Sequence, residues 1–96
     1  MLELRPYCEN CGKALPNDST EAMICTFECT FCAECVNNIL ENVCPNCGGG
    51  FEKRPTRPKQ GLLKYPAKTA PYIKPVDMAI FEALRERNKQ LLPNER

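Results

Sequence analysis

Eight cysteines are the residues of this chain whose type and spacing could support chemistry. They form four close pairs within one 40-residue stretch: Cys8 and Cys11, Cys25 and Cys29, Cys32 and Cys35, Cys44 and Cys47. A tight turn between two paired cysteines presents both thiolates to one tetrahedral zinc ion, at Zn–S distances of about 2.3 Å. Gly12 and Gly48 follow the first and last pairs, where such turns commonly need a positive φ. The pattern predicts two four-cysteine metal sites.

The thiols could instead form disulfides, so the compartment decides between the two chemistries. Residues 1–6 lack the basic start and apolar run of a signal peptide. No stretch approaches the roughly 18 apolar residues of a membrane span. We therefore expect a cytoplasmic protein that does not associate with membranes. Because thiols stay reduced in that compartment, paired thiols there bind metal more often than each other.

The four pairs could share two ions in three ways. A cross-brace joins the first pair to the third and the second pair to the fourth. A sequential arrangement, as in LIM domains, joins neighbouring pairs, but only eight residues separate Cys35 from Cys44, which is short for its second finger. A ribbon-like arrangement joins the two glycine-terminated pairs and leaves the second and third pairs for the other ion. It remains an alternative. The gaps favour the cross-brace, with these two sites: Cys8, Cys11, Cys32 and Cys35; Cys25, Cys29, Cys44 and Cys47.

Zinc is the expected metal, since it is the usual ion of closed all-thiolate sites. The run Cys29-x2-Cys32-x2-Cys35, followed by Cys44-Pro45, also imitates a ferredoxin motif, so iron is the alternative. That alternative leaves half of the cysteines unused, and we predict two Zn²⁺. The absence of histidine excludes imidazole ligands and imidazole catalysis. A closed site leaves no coordination position for a substrate, so we predict a protein that is not an enzyme.

Short elements must position these cysteines. A module of about 50 residues buries too little surface to fold on apolar packing alone. We predict a small metal-stabilised α+β fold with a hairpin over residues 22–27 and a helix over residues 33–41 that stops at Asn42. Residues 1–51 form the zinc module, and residues 52–75 form a proline-rich basic connector in which Gly61 to Tyr65 could be a short strand if another segment pairs with it. Residues 76–92 form a C-terminal amphipathic helix with Pro75 at its start.

Charge divides the chain into two halves. Residues 1–47 carry two basic and seven acidic side chains, whereas residues 48–96 carry eleven basic and five acidic ones. The basic segment is a candidate nucleic-acid surface. Its residues are Lys53, Arg54, Arg57, Lys59, Lys64, Lys68 and Lys74.

The predicted C-terminal helix has a broad apolar surface. One stripe at helical spacing contains Val76, Ile80, Ala83, Leu84 and Leu91. This stripe could pack on the zinc module, on a second copy in a homodimer through residues 76–92, or on another protein.

The cysteine spacings resemble those of RING fingers, with cysteine where a RING finger usually carries at least one histidine. The first 60 residues also resemble a small bacterial family known as domain of unknown function 1272. The matching stretches are residues 1–6, 18–20, 24–32, 44–49 and 54–58. The resemblance implies a bacterial, cytosolic, RING-like zinc protein and supplies no biochemical activity.

These observations predict a non-catalytic zinc-binding protein that acts as a protein-interaction or regulatory module with a protein partner. Nucleic-acid binding through the basic segment is the first alternative. A ubiquitin-ligase-like RING is a second alternative, supported by Pro45 but not by Glu9 and Asn10, which stand where ligases usually place an apolar contact. Redox sensing by the thiolates is chemically available but receives no special support.

Overall fold

The computed structural model describes residues 1–96 as a small α+β molecule built on a three-stranded antiparallel sheet. Its strands are β1 (Ala22–Ile24), β2 (Thr30–Cys32) and β3 (Glu52–Lys53), in the order β2-β1-β3. Met23 of β1 lies opposite Phe31 on one side and Lys53 on the other. The predicted hairpin exists, but its placement of residues 26 and 27 in a strand is wrong. They lie in the turn, where Glu28 adopts a φ of 64°.

The helix expected over residues 33–41 is present in two parts. A single α-helical turn, α1 (Ala33–Cys35), runs directly into a π-helical turn, Val36–Leu40. The predicted left-handed stop lies at Asn42, with a φ of 59°, and at Glu41 just before it, with a φ of 50°. The cysteine pair at the start of this helix is therefore held between the end of β2 and the first helical turn.

The hydrophobic core is small and rich in sulfur. It is one cluster of 14 buried residues, and six of them are cysteines. Phe31 and Phe51 meet edge to face in it, with ring centroids 5.5 Å apart and ring planes at 76°. The remaining apolar side chains are few, which agrees with a module that needs more than burial to be stable.

The connector contains a helix in the segment where the sequence allows a short strand. Residues Lys59–Lys64 form α2, so the expected strand from Gly61 to Tyr65 is wrong. No neighbouring strand edge pairs with this segment, and its backbone forms local helical hydrogen bonds instead. Leu62 donates to Pro58 and Tyr65 donates to Gly61, at 3.2 and 2.8 Å.

The C-terminal helix, α3 (Met78–Asn88), begins two residues after the predicted start at residue 76 and ends four residues before the predicted end at residue 92. Asp77 is its N-cap in extended backbone, and the carboxylate accepts the N–H groups of Ala79 and Ile80. The buried face also differs from the predicted stripe. Phe81, only 4% exposed, joins the core of the module, whereas Ile80 is 77% exposed. The helix therefore packs on its own chain.

A final 3-10 turn covers Pro93–Glu95. None of the helices combines the length and the apolar character needed to cross a membrane.

Candidate metal centre

The first cysteine group brings together the first and third pairs. The Sγ atoms of Cys8, Cys11, Cys32 and Cys35 all lie within 4.8 Å of one another. Sulfurs of Cys8 and Cys35 are 3.9 Å apart, and those of Cys11 and Cys32 are 3.7 Å apart. Four sulfurs about 2.3 Å from one tetrahedral zinc would be about 3.8 Å from each other, so the group has the dimensions of a thiolate site.

Local backbone structure presents each sulfur of this group. Gly12, with a φ of 78°, donates its N–H to the carbonyl of Cys8 at 3.0 Å and closes the first turn. In that turn the N–H of Cys11 points at the sulfur of Cys8, 3.5 Å away. Cys32 caps α1, and its sulfur accepts the N–H of Cys35 at 3.4 Å. Backbone donors thus face the sulfurs, as in a site that stabilises thiolate charge.

The second group contains three sulfurs from the second and fourth pairs. The Sγ atoms of Cys25, Cys44 and Cys47 lie within 4.8 Å of one another. Cys25 follows β1, and its sulfur accepts the N–H of Phe27 at 3.4 Å. Gly48, with a φ of 76°, donates to the carbonyl of Cys44 at 2.8 Å and closes a turn like that of Gly12.

Cys29, the fourth ligand predicted for the second site, is not in this compact group. It is buried nearby, and its sulfur accepts the side-chain amide of Asn46 at 3.4 Å. The sequence places the second and third pairs only two residues apart. Cys29 precedes β2 and Cys32 ends it, so this one short strand lies between the two pairs. The structure therefore shows three of the four predicted members of the second site together.

Burial and hydrogen bonding shift the thiol pKa values in opposite directions. Burial raises the pKa of four thiols: Cys29, Cys32, Cys35 and Cys44. Burial opposes ionisation of Cys8 and Cys25 as well, but hydrogen bonds to their sulfurs outweigh it and lower the pKa of both. A metal ion that binds these groups must displace the protons that the raised pKa values retain.

All eight cysteines are free thiols in the fold, and only Cys11 and Cys47 are exposed. The sulfur separations of 3.7 and 3.9 Å exceed the roughly 2.05 Å of a disulfide bond. The donor set is entirely thiolate, which suits zinc and other thiophilic ions. The two groups could hold metal ions.

Two asparagines contact the sulfurs and were not predicted as site residues from the sequence. Asn10 donates its side-chain amide to Cys35 at 3.5 Å, and Asn46 donates to Cys29 at 3.4 Å. Each occupies the same place in its turn, in Cys-Glu-Asn-Cys-Gly and Cys-Pro-Asn-Cys-Gly. This repetition of asparagine was the available signal.

The basic residues proposed for nucleic-acid binding do not share one environment. Five of them are exposed: Lys53, Lys59, Lys64, Lys68 and Lys74. Arg54 is 3% exposed and donates to the carbonyls of three residues, so its inclusion in a phosphate-binding surface is wrong. Arg57 is half-buried and donates to the carbonyls of Leu2 and Tyr65.

The fold and its two sulfur groups define a small α+β protein with cysteine clusters that could hold metal ions. The family model described as "Protein of unknown function (DUF1272)" matches residues 1–57, and the chain belongs to this bacterial family. An uncharacterized protein of Rhizobium meliloti (strain 1021) is 60% identical over 75 residues, which cover 78% of this chain and 89% of that relative. No solved structure matches the chain.

Proposed function

We propose that the protein is a non-catalytic zinc-binding module that holds two Zn²⁺ in a cross-braced, RING-like arrangement and serves as a surface for a protein partner. The observation that carries the metal proposal is the first sulfur group, whose spacing matches a tetrahedral site. Zinc would be held there by Cys8, Cys11, Cys32 and Cys35. When bound, it supplies a closed structural cross-link rather than a reactive centre.

The second site is proposed to contain Cys29 together with Cys25, Cys44 and Cys47. Two features support this assignment: the backbone N–H of Cys25 donates to the carbonyl of Cys29 at 3.3 Å, and the Cys29 sulfur accepts the side-chain amide of Asn46, in the turn of the last pair, at 3.4 Å. Movement of the Cys29 sulfur into this group would complete a four-sulfur set. The first and third pairs would then share one ion and the second and fourth the other, which is the cross-brace.

A cleft beside the module supports the interaction proposal. It has a volume of about 460 Å³. One side is formed by the turns of the first and last cysteine pairs, and the other by the start of α3 and the residues just before it. Its lining includes Pro45, Tyr72 and Ile80, and the latter two are 57% and 77% exposed. Apolar side chains around a concave surface are typical of sites that receive another protein's side chains.

Metal content tests the first part of the proposal. Native mass spectrometry of protein prepared with zinc should show two ions per chain, and both should be lost after denaturation in acid. The variant Cys32→Ser should retain one ion, and Cys44→Ser should also retain one. Retention of both ions in either variant, or binding of none by the parent protein, contradicts the two-site assignment.

Site-specific photo-crosslinking tests the interaction part. A photoreactive amino acid at position 80 should crosslink a discrete partner in the source cell, whereas the same group at the exposed position 63 should not. Ile80 borders the cleft and Leu63 lies on α2, so the two positions differ in location and not in exposure. Equal crosslinking at both positions, or none at position 80, would reject the cleft as the contact surface.

Nucleic-acid binding is the second candidate function. The five exposed lysines form no ion pair within the chain, which leaves their charges free for phosphate. Replacing Lys59, Lys64 and Lys68 by alanine should abolish a salt-dependent shift of labelled RNA or DNA. Absence of any shift at low salt with the parent protein removes this candidate.

A further inference from the structure

The chain from Tyr72 to Asn88, called the strap below, crosses the turns of both Gly-terminated cysteine pairs. At the first turn, the N–H of Lys74 donates to the carbonyl of Glu9 at 2.6 Å. The side chain of Ile73 covers Gly12. The strap therefore contacts the residues between and just after the first two cysteines.

The other end of the strap lies on the second turn. The side-chain amide of Asn88 donates to the carbonyl of Gly48 at 2.9 Å, and Leu84 lies over the same glycine. A Cβ at position 48 would lie 2.8 Å from the Asn88 amide nitrogen. Between the two turns, Phe81 is buried in the core, so the strap is anchored at both sulfur groups and in the middle.

Asn10 connects the strap directly to a sulfur. Its amide nitrogen donates to Cys35 at 3.5 Å, while its amide oxygen accepts the N–H of Val76 at 2.9 Å. Asn46 makes the equivalent bond to Cys29, but its amide oxygen accepts no hydrogen bond from the strap. One asparagine thus links metal ligand and strap, and the other serves as its natural control.

A hydrogen bond to the amide oxygen polarises the amide and strengthens its N–H as a donor. Docking of the strap also fixes the side chain of Asn10 in the position that faces Cys35. Donors of this kind orient a ligand and stabilise its thiolate charge, and their loss commonly lowers metal affinity about 10- to 100-fold. By thermodynamic linkage, a strap that tightens metal binding must itself be held more tightly when metal is bound.

We propose that Asn10 is a positioning residue that couples docking of the strap to retention of metal in the first sulfur group. This inference rests on the proposed zinc binding and deepens it. It assigns the strap a role in holding the metal of the first group. A partner that displaces the strap would loosen that metal, and loss of that metal would loosen the strap.

The test uses full-length, zinc-loaded protein with Asn10→Ala and Asn46→Ala as a matched pair. Each is challenged with EDTA and N-ethylmaleimide, and peptide mass spectrometry records which cysteines are alkylated first. In Asn10→Ala, the first sulfur group should be alkylated about tenfold faster or more, and the amide of Val76 should exchange hydrogen faster. In Asn46→Ala, only the second group should be alkylated faster, and exchange at Val76 should not change.

A double-mutant cycle tests whether the coupling passes through Asn10. Phe81→Ala should detach the strap and accelerate alkylation of the first group, but it should add little in the Asn10→Ala background. If Phe81→Ala impairs folding, Asp77→Ala takes the place of Phe81→Ala in the cycle. This substitution removes the exposed N-cap of α3. Additive effects would overturn the proposal, because the strap would then act on the metal by a route that does not include Asn10.

The two levels of the proposal fail in different ways. If native mass spectrometry finds no metal in the parent protein, the proposed zinc binding fails and the coupling fails with it. If two ions are bound but Asn10→Ala matches the parent in both alkylation and Val76 exchange, zinc binding stands and only the coupling is wrong.

Discussion

At the scale of single residues, the buried guanidinium of Arg54 holds backbone segments together. Its guanidinium donates to the carbonyls of Arg5, Leu15 and Pro16, at 2.8, 2.9 and 2.8 Å, and burial lowers its pKa. Arg57, three residues later, exchanges two hydrogen bonds with Asn17, each 2.9 Å long. These arginines attach the segment that follows β3 to the amino-terminal segment. The family match ends at Arg57.

Arg54→Ala should destabilise the zinc-loaded protein by about 2–4 kcal/mol, because three carbonyls lose charged donors in a buried place. Chemical denaturation followed by circular dichroism measures the change. Lys53→Ala, at the exposed neighbouring position of β3, should alter the unfolding free energy by no more than about 0.5 kcal/mol. Similar effects of the two substitutions would show that the Arg54 contacts are not important for stability.

Metal binding should weaken as the pH falls. Bound cysteines are thiolates, and the pKa values of Cys29, Cys32, Cys35 and Cys44 are raised by burial. At neutral pH these thiols are protonated without metal, so metal must displace their protons. Zinc affinity, measured by competition with a chelator of known proton affinity, should fall about tenfold or more per pH unit on acidification. An affinity that does not change between about pH 8 and pH 6 would contradict thiolate ligation.

At the scale of elements, the two glycine-closed turns differ in what lies above them. Gly12 and Gly48 were both expected to need a positive φ, and both have one. Only Gly48 is also covered by α3, whose Asn88 would collide with a Cβ at that position. The first property follows from the local turn, whereas the second depends on where a helix some 30 residues later packs.

Gly48→Ala should therefore destabilise the protein by about 1–3 kcal/mol through backbone strain and displacement of α3. Gly49→Ala is the matched control, because its φ is not positive and its Cβ would lie 3.4 Å from the Cys47 sulfur. Thermal unfolding compares the two variants, and hydrogen exchange in α3 should increase only in Gly48→Ala. Equal stability of the two variants would indicate that α3 does not press on this turn.

At the scale of the whole molecule, the sulfur groups and the C-terminal helix belong to one core. Six of the 14 core residues are cysteines, and Phe81 of α3 packs among them. Basic residues at the end of the chain also contact the acidic first half: Arg85 and Lys89 reach Glu41, at 3.3 and 3.6 Å. The opposite charges of the two halves are thus brought together within the chain.

Removal of the proposed zinc ions should abolish the cooperative unfolding transition, since a structural zinc ion contributes on the order of 10 kcal/mol to folding. Circular dichroism after treatment with EDTA should show loss of ordered structure over residues 8–47. Hydrogen exchange should show that α3 loses protection too, because Phe81 no longer has a core to enter. Re-addition of zinc should restore both signals. A spectrum unchanged by EDTA would show that the fold does not depend on metal.

The sequence alone determined the features that depend on neighbouring residues. Paired cysteines with a following glycine define a turn that presents sulfur, and the lack of histidine excludes imidazole ligands. The short helix, its left-handed stop and the α+β class also followed from local patterns.

Only the tertiary structure decided what depends on distant contacts. It set which cysteine pairs meet and that Arg54 is buried rather than exposed to a partner. It also turned Phe81 inward in place of Ile80 and placed Asn10 between Cys35 and the strap. The physical reason is that burial and hydrogen-bond partners are set by segments up to 66 residues apart. Turn geometry, in contrast, is complete within about four residues.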